Sequence, residues 1–266
     1  MRSVRIAVAI SVILFASAAE AGISCTALAD AASGKVLAQE GTCETRVTPA
    51  STFKIAISLM GYDAGFLKDE HDPALPFREG YADWNPSWKT TTDPTSWIKN
   101  SVVWYSQQVT QSLGEARFQD YARKFHYGNE DVSGDPGKHD GLTRAWLSSS
   151  LKISPLEQLS FLEGIVQRKL PVSQHAYEMT ARITAIAELA NGWHVHGKTG
   201  TGFPLRADGT TDVQHAYGWF VGWASRDGRT IVFARLLQDD KREAVATSLR
   251  ARDQFLKDLP ALLDQH

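Results

Sequence analysis

Ser51 and Lys54 have residue types and a spacing that would suit nucleophilic catalysis. They lie in the segment PASTFKIAISL, where a helix would place residues i and i+3 side by side on one face. A serine hydroxyl is a poor nucleophile until a base takes its proton, and a lysine can be that base only if burial lowers its pKa. Because Phe53, Ile55 and Ile57 would supply such burial, the segment is a candidate catalytic pair.

The same segment has a simpler interpretation. Many helices contain S-x-x-K by chance, with the serine at the N-cap and the lysine in water. Taken alone, the segment favours this simpler interpretation. Ser51 would nevertheless lie at the first helical turn, where free backbone N–H groups and the positive end of the helix dipole favour a developing negative charge.

A second candidate group is Lys198-Thr199-Gly200, at the predicted end of a strand. The lysine can point a cation into a cleft, and Thr199 can hydrogen-bond a carboxylate. The small residues on either side would let a ligand lie along the strand edge. K-T-G also occurs in strands that simply end in a turn, so it does not identify a site by itself.

Three further segments lie between these groups: SVVW at residues 101–104, YGN at 127–129 and WLSSSLKISPLEQ at 146–158. Each could be ordinary loop or helix-start sequence. In this order and at these spacings, however, STFK, SVV, YGN, the following tryptophan, LKISPLEQ and KTG resemble the class D (OXA-type) serine β-lactamases. The resemblance runs from about Cys25 to the terminal helix. Ser101-Val102-Val103 stands where class A enzymes would show S-D-N.

The resemblance implies a mechanism with named residues. Ser51 would attack the β-lactam carbonyl and form an acyl-enzyme. Lys54 would react with CO2 to become a carbamate that acts as general base, and the indole N–H of Trp146 would hydrogen-bond this carbamate. Ser101 would relay a proton to the leaving nitrogen. Beyond this CO2-derived group, no cofactor and no metal is expected.

The resemblance also implies how the substrate is bound. Lys198 and Thr199 would hold its carboxylate, and the backbone N–H groups of Ser51 and Thr201 would form the oxyanion hole. Val103 would border the site beside the catalytic lysine.

Many class D enzymes carry an arginine early in the last helix that helps to hold the substrate carboxylate. The LR of TSLRARD places Arg250 at this position, with Arg252 as the alternative. A planar guanidinium suits bidentate binding of a carboxylate. A solvated arginine on the helix surface is the simpler interpretation.

The elements that must position these residues fall into three regions. Residues 23–39 predict two strands with a turn near residues 31–34, residues 51 to about 190 have helical patterns, and three β-rich segments follow before a helix at about 243–259. Strands at both ends predict an α+β fold: one antiparallel β-sheet formed from both chain termini, flanked by helices, with an inserted mostly helical lobe. The resemblance implies the serine β-lactamase or penicillin-binding transpeptidase-like version of this fold.

Local signals predict several boundaries of these elements. Asp93 and Ser154 are each followed by proline, as at an N-cap and N1, and Glu157 completes a capping box. Arg226-Asp227-Gly228 predicts a hairpin turn.

The first 21 residues differ from the rest. Arg2 and Arg5 precede an apolar run at 6–15, and the segment ends in Ala19-Glu20-Ala21, so it predicts a secretory signal peptide cleaved after Ala21. Residues 22–266 would then be the catalytic domain of a periplasmic protein. A membrane anchor is disfavoured because the run is short of the roughly 20 residues that span a bilayer. A lipoprotein modified at Cys25 is weaker still, because the preceding residues form a poor lipobox.

The composition is that of a globular protein: 266 residues, 43% hydrophobic and 22% charged, with a net charge of -2. Without a basic excess, no nucleic-acid partner is expected, and no membrane association is expected after signal cleavage. The expected partner is a β-lactam, with the chain as a monomer or homodimer. Cys25 and Cys43 could form a disulfide in an oxidising compartment or remain free thiols.

Several alternatives stay open. A β-lactam sensor or penicillin-binding protein would be acylated without rapid turnover, and a binding module would form no adduct. His194 and His196 alternate on a strand as a metal pair could, but a catalytic zinc site needs about three protein ligands. The loop at 201–216 is long for class D enzymes. The sequence therefore leaves open the preference among penicillin, oxacillin, cephalosporin and carbapenem substrates.

Overall fold

A six-stranded antiparallel sheet is built from both ends of the chain in the computed structural model, which describes residues 23–264. The strand order is β2-β1-β6-β5-β4-β3. The strands are β1 (Ile23–Asp30), β2 (Val36–Gly41), β3 (Ala185–Glu188), β4 (His194–Gly202), β5 (Tyr217–Arg226) and β6 (Arg229–Gln238). The predicted α+β fold is confirmed. The predicted signal peptide lies outside the described residues.

Two hairpins join neighbouring strands as predicted. Strands β5 and β6 are connected by Asp227 and Gly228, whose φ angles of 51° and 79° are the positive values that a tight two-residue hairpin turn requires. Strands β1 and β2 pair across a turn that contains Gly34. Their pairing brings Cys25 and Cys43 to a Cα–Cα distance of 5.0 Å, and the two cysteines form a disulfide.

Seven α-helices lie within the described residues. They are α1 (Lys54–Asp63), α2 (Pro94–Asn100), α3 (Val103–Lys124), α4 (Gly141–Arg144), α5 (Pro155–Val166), α6 (Gln174–Ile183) and α7 (Thr247–Asp264). The predicted caps are present: Asp93 Oδ1 accepts the N–H of Ser96 at 2.7 Å, and Ser154 forms a capping box with Glu157. Gly114, with φ 72°, interrupts the helical conformation of α3.

The sheet separates two apolar cores. Along β5, Trp219 and Val221 join the core that contains α1, whereas Phe220 faces the opposite side. There the ring of Phe255 on α7 lies 5.9 Å from that of Phe220 and 4.7 Å from that of Phe233. The sheet is thus covered on both faces, and β4 is held between α7 on one side and the start of α1 on the other.

Three predicted boundaries differ from the structure. The helical pattern does not continue to residue 190, because α6 ends at Ile183 and β3 follows as an exposed edge strand. Its alanine and glutamate residues are good helix formers, and pairing with β4 overrides that preference. Helix α7 begins at Thr247 rather than 243. Strand β4 continues through Lys198-Thr199-Gly200 to Gly202 instead of ending there.

Candidate active site

Ser51 and Lys54 are neighbours at the junction of a short 3-10 helix (Ala50–Phe53) and α1. Lys54 Nζ donates a hydrogen bond of 3.1 Å to Ser51 Oγ. Lys54 is fully buried, whereas Ser51 is partly exposed, so the serine oxygen is available to a ligand. Ala50 has φ 49°, an uncommon value for a residue with a side chain, which is typical of functional sites.

The surroundings of Lys54 favour a neutral amine. Burial among apolar residues lowers the pKa of the Lys54 ammonium well below its usual value, and the positive charge of Lys198 lowers it further. A neutral amine has a free lone pair, so Lys54 can accept a proton or react with an electrophile.

Trp146 contributes a buried hydrogen-bond donor without a partner. Its side chain is fully buried, and its Nε1–H has no acceptor among the described residues. The indole packs against Phe53, the residue before Lys54, with ring centroids 5.9 Å apart, and the Trp146 carbonyl accepts the N–H of Ala50 at 3.1 Å. Since an unpaired buried donor is costly, this N–H is available to an acceptor that the described side chains do not supply.

Gly200 brings β4 into direct contact with the 3-10 helix that contains Ser51. A Cβ at this position would lie 2.9 Å from the backbone nitrogens of both Ser51 and Thr52. Any side chain here would therefore push the strand away from the turn. Thr201 is the next residue along β4, so its backbone lies one residue beyond this contact with Ser51.

Lys198 and Thr199 form the cationic side of the site. Lys198 is 5% exposed, and its Nζ donates to the carbonyl of Thr199 at 3.0 Å. Burial and the nearby positive charge of Arg252 lower the pKa of Lys198 to about 7. Both residues line a cavity of about 420 Å³, together with Ile98, Arg252 and others.

Ser101 follows α2, which contributes residues to this cavity. It ends α2 in a left-handed conformation with φ 57° and ψ 36°, and the neighbouring Ile98 and Lys99 line the same cavity as Lys198. Val102 and Val103 are buried at the start of α3. SVV thus begins two residues after Lys99, in the wall of the cavity that Lys198 and Thr199 also line.

The YGN and LKISPLEQ segments pack against the 3-10 helix that contains Ser51. Gln158 Nε2 donates to Thr52 Oγ1 at 3.2 Å and to the hydroxyl of Tyr127 at 3.3 Å. Tyr127 is fully buried and packs edge-on against Phe53, with centroids 4.8 Å apart. Asn129 Oδ1 accepts the N–H of Lys152 at 2.8 Å, which joins the two segments. These contacts hold Thr52 and Phe53, the two residues that follow Ser51.

The structure places the two arginines of α7 differently. Arg250 forms an ion pair with the buried carboxylate of Asp239, and its Nε donates to the carbonyl of Val245 at 3.3 Å. Arg252, in contrast, lines the cavity with Lys198 and Thr199. Residues two apart on a helix point in different directions, and only the packing of α7 on the sheet decides between them.

Sequence reasoning missed Ser248 and Asp239. Ser248 Oγ accepts a hydrogen bond of 2.7 Å from Thr201 Oγ1 on β4. Asp239 is 4% exposed at the end of β6. Neither residue belongs to a motif. The sequence offers one signal for Asp239, its place in the charged run QDDKRE, and this run is typical of a solvated turn.

The long loop after β4 is braced by its own contacts. Arg206 forms an ion pair with Asp212 at 3.0 Å, and His215 Nδ1 lies 2.8 Å from the same carboxylate. A cavity of about 250 Å³ lies between this loop and the start of α7, lined in part by Thr201, Val213 and Val245. The loop therefore borders the site at the end of β4.

The two histidines on β4 have separate surroundings. His196 stacks on Trp223 with ring centroids 5.0 Å apart, and burial lowers its pKa. His194 is exposed and lies 3.9 Å from Glu188. Within residues 23–264, no group of three or more His, Cys, Asp and Glu side chains is placed to hold a metal. No helix in this part of the chain is both long and apolar enough to cross a membrane.

Comparisons with known proteins identify relatives over nearly the whole chain. Residues 24–261 match the family model of the penicillin binding protein transpeptidase domain. β-Lactamase OXA-9 from Klebsiella pneumoniae is 44% identical over 245 residues, which cover 91% of this chain and 88% of the relative. The structure of OXA-427 class D β-lactamase has a TM-score of 0.86 and 51% identity, and covers 91% of this chain and 98% of that chain.

A receptor domain also has this fold. The C-terminal domain of the Bacillus licheniformis BlaR penicillin receptor has a TM-score of 0.76 and 27% identity to this chain. The match covers 90% of this chain and 89% of that domain.

Proposed function

The chain belongs to the class D β-lactamases, and we propose on this basis that it hydrolyses the β-lactam ring of penicillin-type and related antibiotics and so confers resistance to them. The reaction proceeds through an acyl-enzyme on Ser51, with a carboxylated Lys54 as general base. The observation that carries this proposal is the 3.1 Å contact between Ser51 Oγ and the Nζ of a fully buried lysine.

Two features support a CO2-derived carbamate on Lys54. Burial lowers the pKa of the amine, and only a neutral amine reacts with CO2. The Nε1–H of Trp146 has no acceptor among the described residues and would be satisfied by a carbamate oxygen. When formed, the carbamate supplies an anionic general base.

Acylation would use four groups of the chain. Ser51 Oγ passes its proton to the general base at Lys54 and bonds to the lactam carbonyl carbon, while the backbone N–H groups of Ser51 and Thr201 bind the carbonyl oxygen as it becomes negative. The ring C–N bond then breaks. The leaving nitrogen takes a proton that Ser101 relays. Deacylation repeats the sequence with water in place of Ser51, and the serine hydroxyl is released.

The cationic cavity would hold the substrate carboxylate. Lys198 and Thr199 face it, and Arg252 rather than Arg250 adds a guanidinium there. Burial lowers the pKa of Lys198, and binding of an anion would raise it again and favour the charged ammonium. With the carboxylate held here, the lactam carbonyl would lie at Thr201, two residues further along β4.

Hydrolysis of a chromogenic cephalosporin, measured in CO2-depleted buffer with and without added bicarbonate, tests the proposal. We expect steady turnover that bicarbonate increases several-fold. Turnover that is indifferent to bicarbonate would remove the carbamate from the mechanism. A single burst followed by a stable adduct on Ser51, detected by mass spectrometry, would indicate a receptor like the BlaR domain instead.

We also propose that the protein is exported to the periplasm. The basic, apolar and A-x-A segments of residues 1–21 support a cleaved signal peptide. The disulfide between Cys25 and Cys43 supports an oxidising compartment. N-terminal sequencing of the periplasmic fraction should begin at Gly22, and recovery of the uncleaved chain in the membrane fraction would contradict this proposal.

A further inference from the structure

Asp239 is a buried charge at the end of β6, outside the groups that the proposed reaction uses. It is 4% exposed and accepts a hydrogen bond of 2.6 Å from Thr247 Oγ1, in the first turn of α7. It also forms an ion pair with Arg250, one turn further along that helix. Its own N–H donates to the carbonyl of Ala216, just before β5, at 2.9 Å. Asp239 therefore ties the start of α7 to the ends of β6 and β5.

The turn that Asp239 holds rests directly on Thr201. In the sheet, Thr201 of β4 pairs with Gly218 of β5. A Cβ on Gly218 would lie 2.2 Å from the backbone nitrogen of Ser248, so the first turn of α7 contacts the strand backbone at this pair. Thr201 Oγ1 completes the contact by donating to Ser248 Oγ at 2.7 Å.

We propose that Asp239 and Arg250 are positioning residues for the oxyanion hole: they fix the first turn of α7, and this turn fixes the backbone N–H of Thr201 through Gly218 and Ser248. The inference rests on the proposed function, because it assigns the Thr201 N–H to the reacting carbonyl. It gives Arg250 a role through Asp239 instead of through the substrate carboxylate.

Charge and burial explain how Asp239 and Arg250 hold the first turn of α7 in place. Arg250 is the charged residue in the first turn of α7, and the turn meets β4 and β5 through glycine and short hydroxyl side chains. A buried carboxylate that is satisfied by both Thr247 and Arg250 has one favourable arrangement, and displacement would leave the charge unpaired. A shift of about 1 Å in a catalytic donor can cost about 100-fold in rate.

Asp239→Asn is the informative substitution. It keeps the shape of the side chain but removes the charge, so the Arg250 guanidinium, which is 27% exposed, can turn to water. Asp240→Asn is the matched control, because it is the same change at the next residue, which is exposed. Thr247→Val is a second variant that removes one hydrogen bond and leaves the ion pair in place.

Two measurements read out the oxyanion hole. The first is the acylation rate constant from a stopped-flow burst, which we expect to fall about 10- to 100-fold in Asp239→Asn and less in Thr247→Val. The second is the infrared carbonyl stretch of the acyl-enzyme ester, which we expect to move to higher frequency as hydrogen bonding weakens. Asp240→Asn should leave both unchanged.

Other outcomes would overturn the inference. An unchanged carbonyl stretch with a raised KM in Arg250→Lys would assign Arg250 to the substrate carboxylate. An unchanged stretch with only a lowered Tm in Asp239→Asn would make the cluster purely structural. Absence of any Ser51 adduct in the unsubstituted protein would instead refute the proposed function, and the two failures are therefore distinguishable.

Discussion

The two lysines of the site lie in different surroundings. Lys54 is fully buried, next to Phe53 and the start of α3, and its ammonium has no carboxylate partner among the described residues. Lys198 is 5% exposed but lines a cavity of about 420 Å³ that Arg252 also borders. Burial lowers the pKa of both lysines. They differ in which groups can reach the amine.

This difference assigns the two lysines to different chemistry. Near Lys54, an unpaired indole N–H would bind an anionic group attached to the amine itself. At Lys198, an anion would arrive from solvent through the cavity and return the amine to its charged form. One lysine is thus suited to covalent modification and base catalysis, and the other to electrostatic binding.

Loss of the buried lysine should have the largest effect. We expect Lys54→Ala to lower kcat by about 1,000-fold or more, because both acylation and deacylation lose their base. Lys68→Ala, at an exposed lysine with 69% of its side chain accessible, is the control and should leave kcat unchanged. Steady-state hydrolysis of a penicillin measures both. Retained activity in Lys54→Ala would remove the distinction between the two lysines.

Loss of the charge on the other lysine should act mainly on binding. We expect Lys198→Met, which keeps the length of the side chain, to lower kcat/KM about 100-fold, mostly by raising KM. Titration of initial rates against substrate concentration separates KM from kcat. If kcat fell as much as in Lys54→Ala, Lys198 would belong to the chemistry rather than to binding.

The pH profile should distinguish the lysines further. The pKa of Lys198 is lowered to about 7, so it is protonated below that pH and loses its charge above it. At saturating bicarbonate, kcat/KM should therefore fall about tenfold per pH unit above about 7. Lys198→Arg stays charged and should flatten this limb. A limb that persists in Lys198→Arg would have another origin.

Trp146→Phe tests the indole N–H by comparison with a second buried tryptophan. In CO2-depleted buffer the variant should lose only the stability that the smaller ring costs, because the lost donor has no partner among the described residues. Its half-saturating bicarbonate concentration should rise about tenfold, as expected for one lost hydrogen bond to a charged group.

Trp104→Phe is the matched control for that variant. Trp104 is equally buried, but its Nε1–H donates to the Trp88 carbonyl at 3.0 Å. The control should therefore lose about 1 kcal/mol more stability than Trp146→Phe and keep the normal bicarbonate response. The same bicarbonate response in both variants would show that the Trp146 N–H does not bind a group on Lys54.

Much of this site could be predicted because local signals and the family motifs agree. The burial of Lys54 follows from its apolar neighbours, and the capping box at Ser154 is written in adjacent residues. Strand β3 was missed because its alanines and glutamate favour a helix locally, and only pairing with β4 makes them a strand.

The contacts of α7 illustrate a second limit. The choice between Arg250 and Arg252 depends on how the helix is rotated against the sheet, which no motif encodes. The buried Asp239 was missed for the same reason, since its partners Thr247 and Arg250 come close only when α7 packs. Long-range packing, rather than local sequence pattern, determines the contacts of these residues.

Arg252→Ala should give the smallest effect and sharpen the contrast with Arg250. Arg252 borders the cavity and its charge helps to lower the pKa of Lys198. We expect its loss to raise KM about fivefold with kcat nearly unchanged, as for one exposed charge that contacts the substrate. The alkaline limb of kcat/KM should also move to higher pH, because Lys198 keeps its proton more readily without a neighbouring cation. A limb that stays in place would separate Arg252 from Lys198 and leave the cavity with a single functional cation.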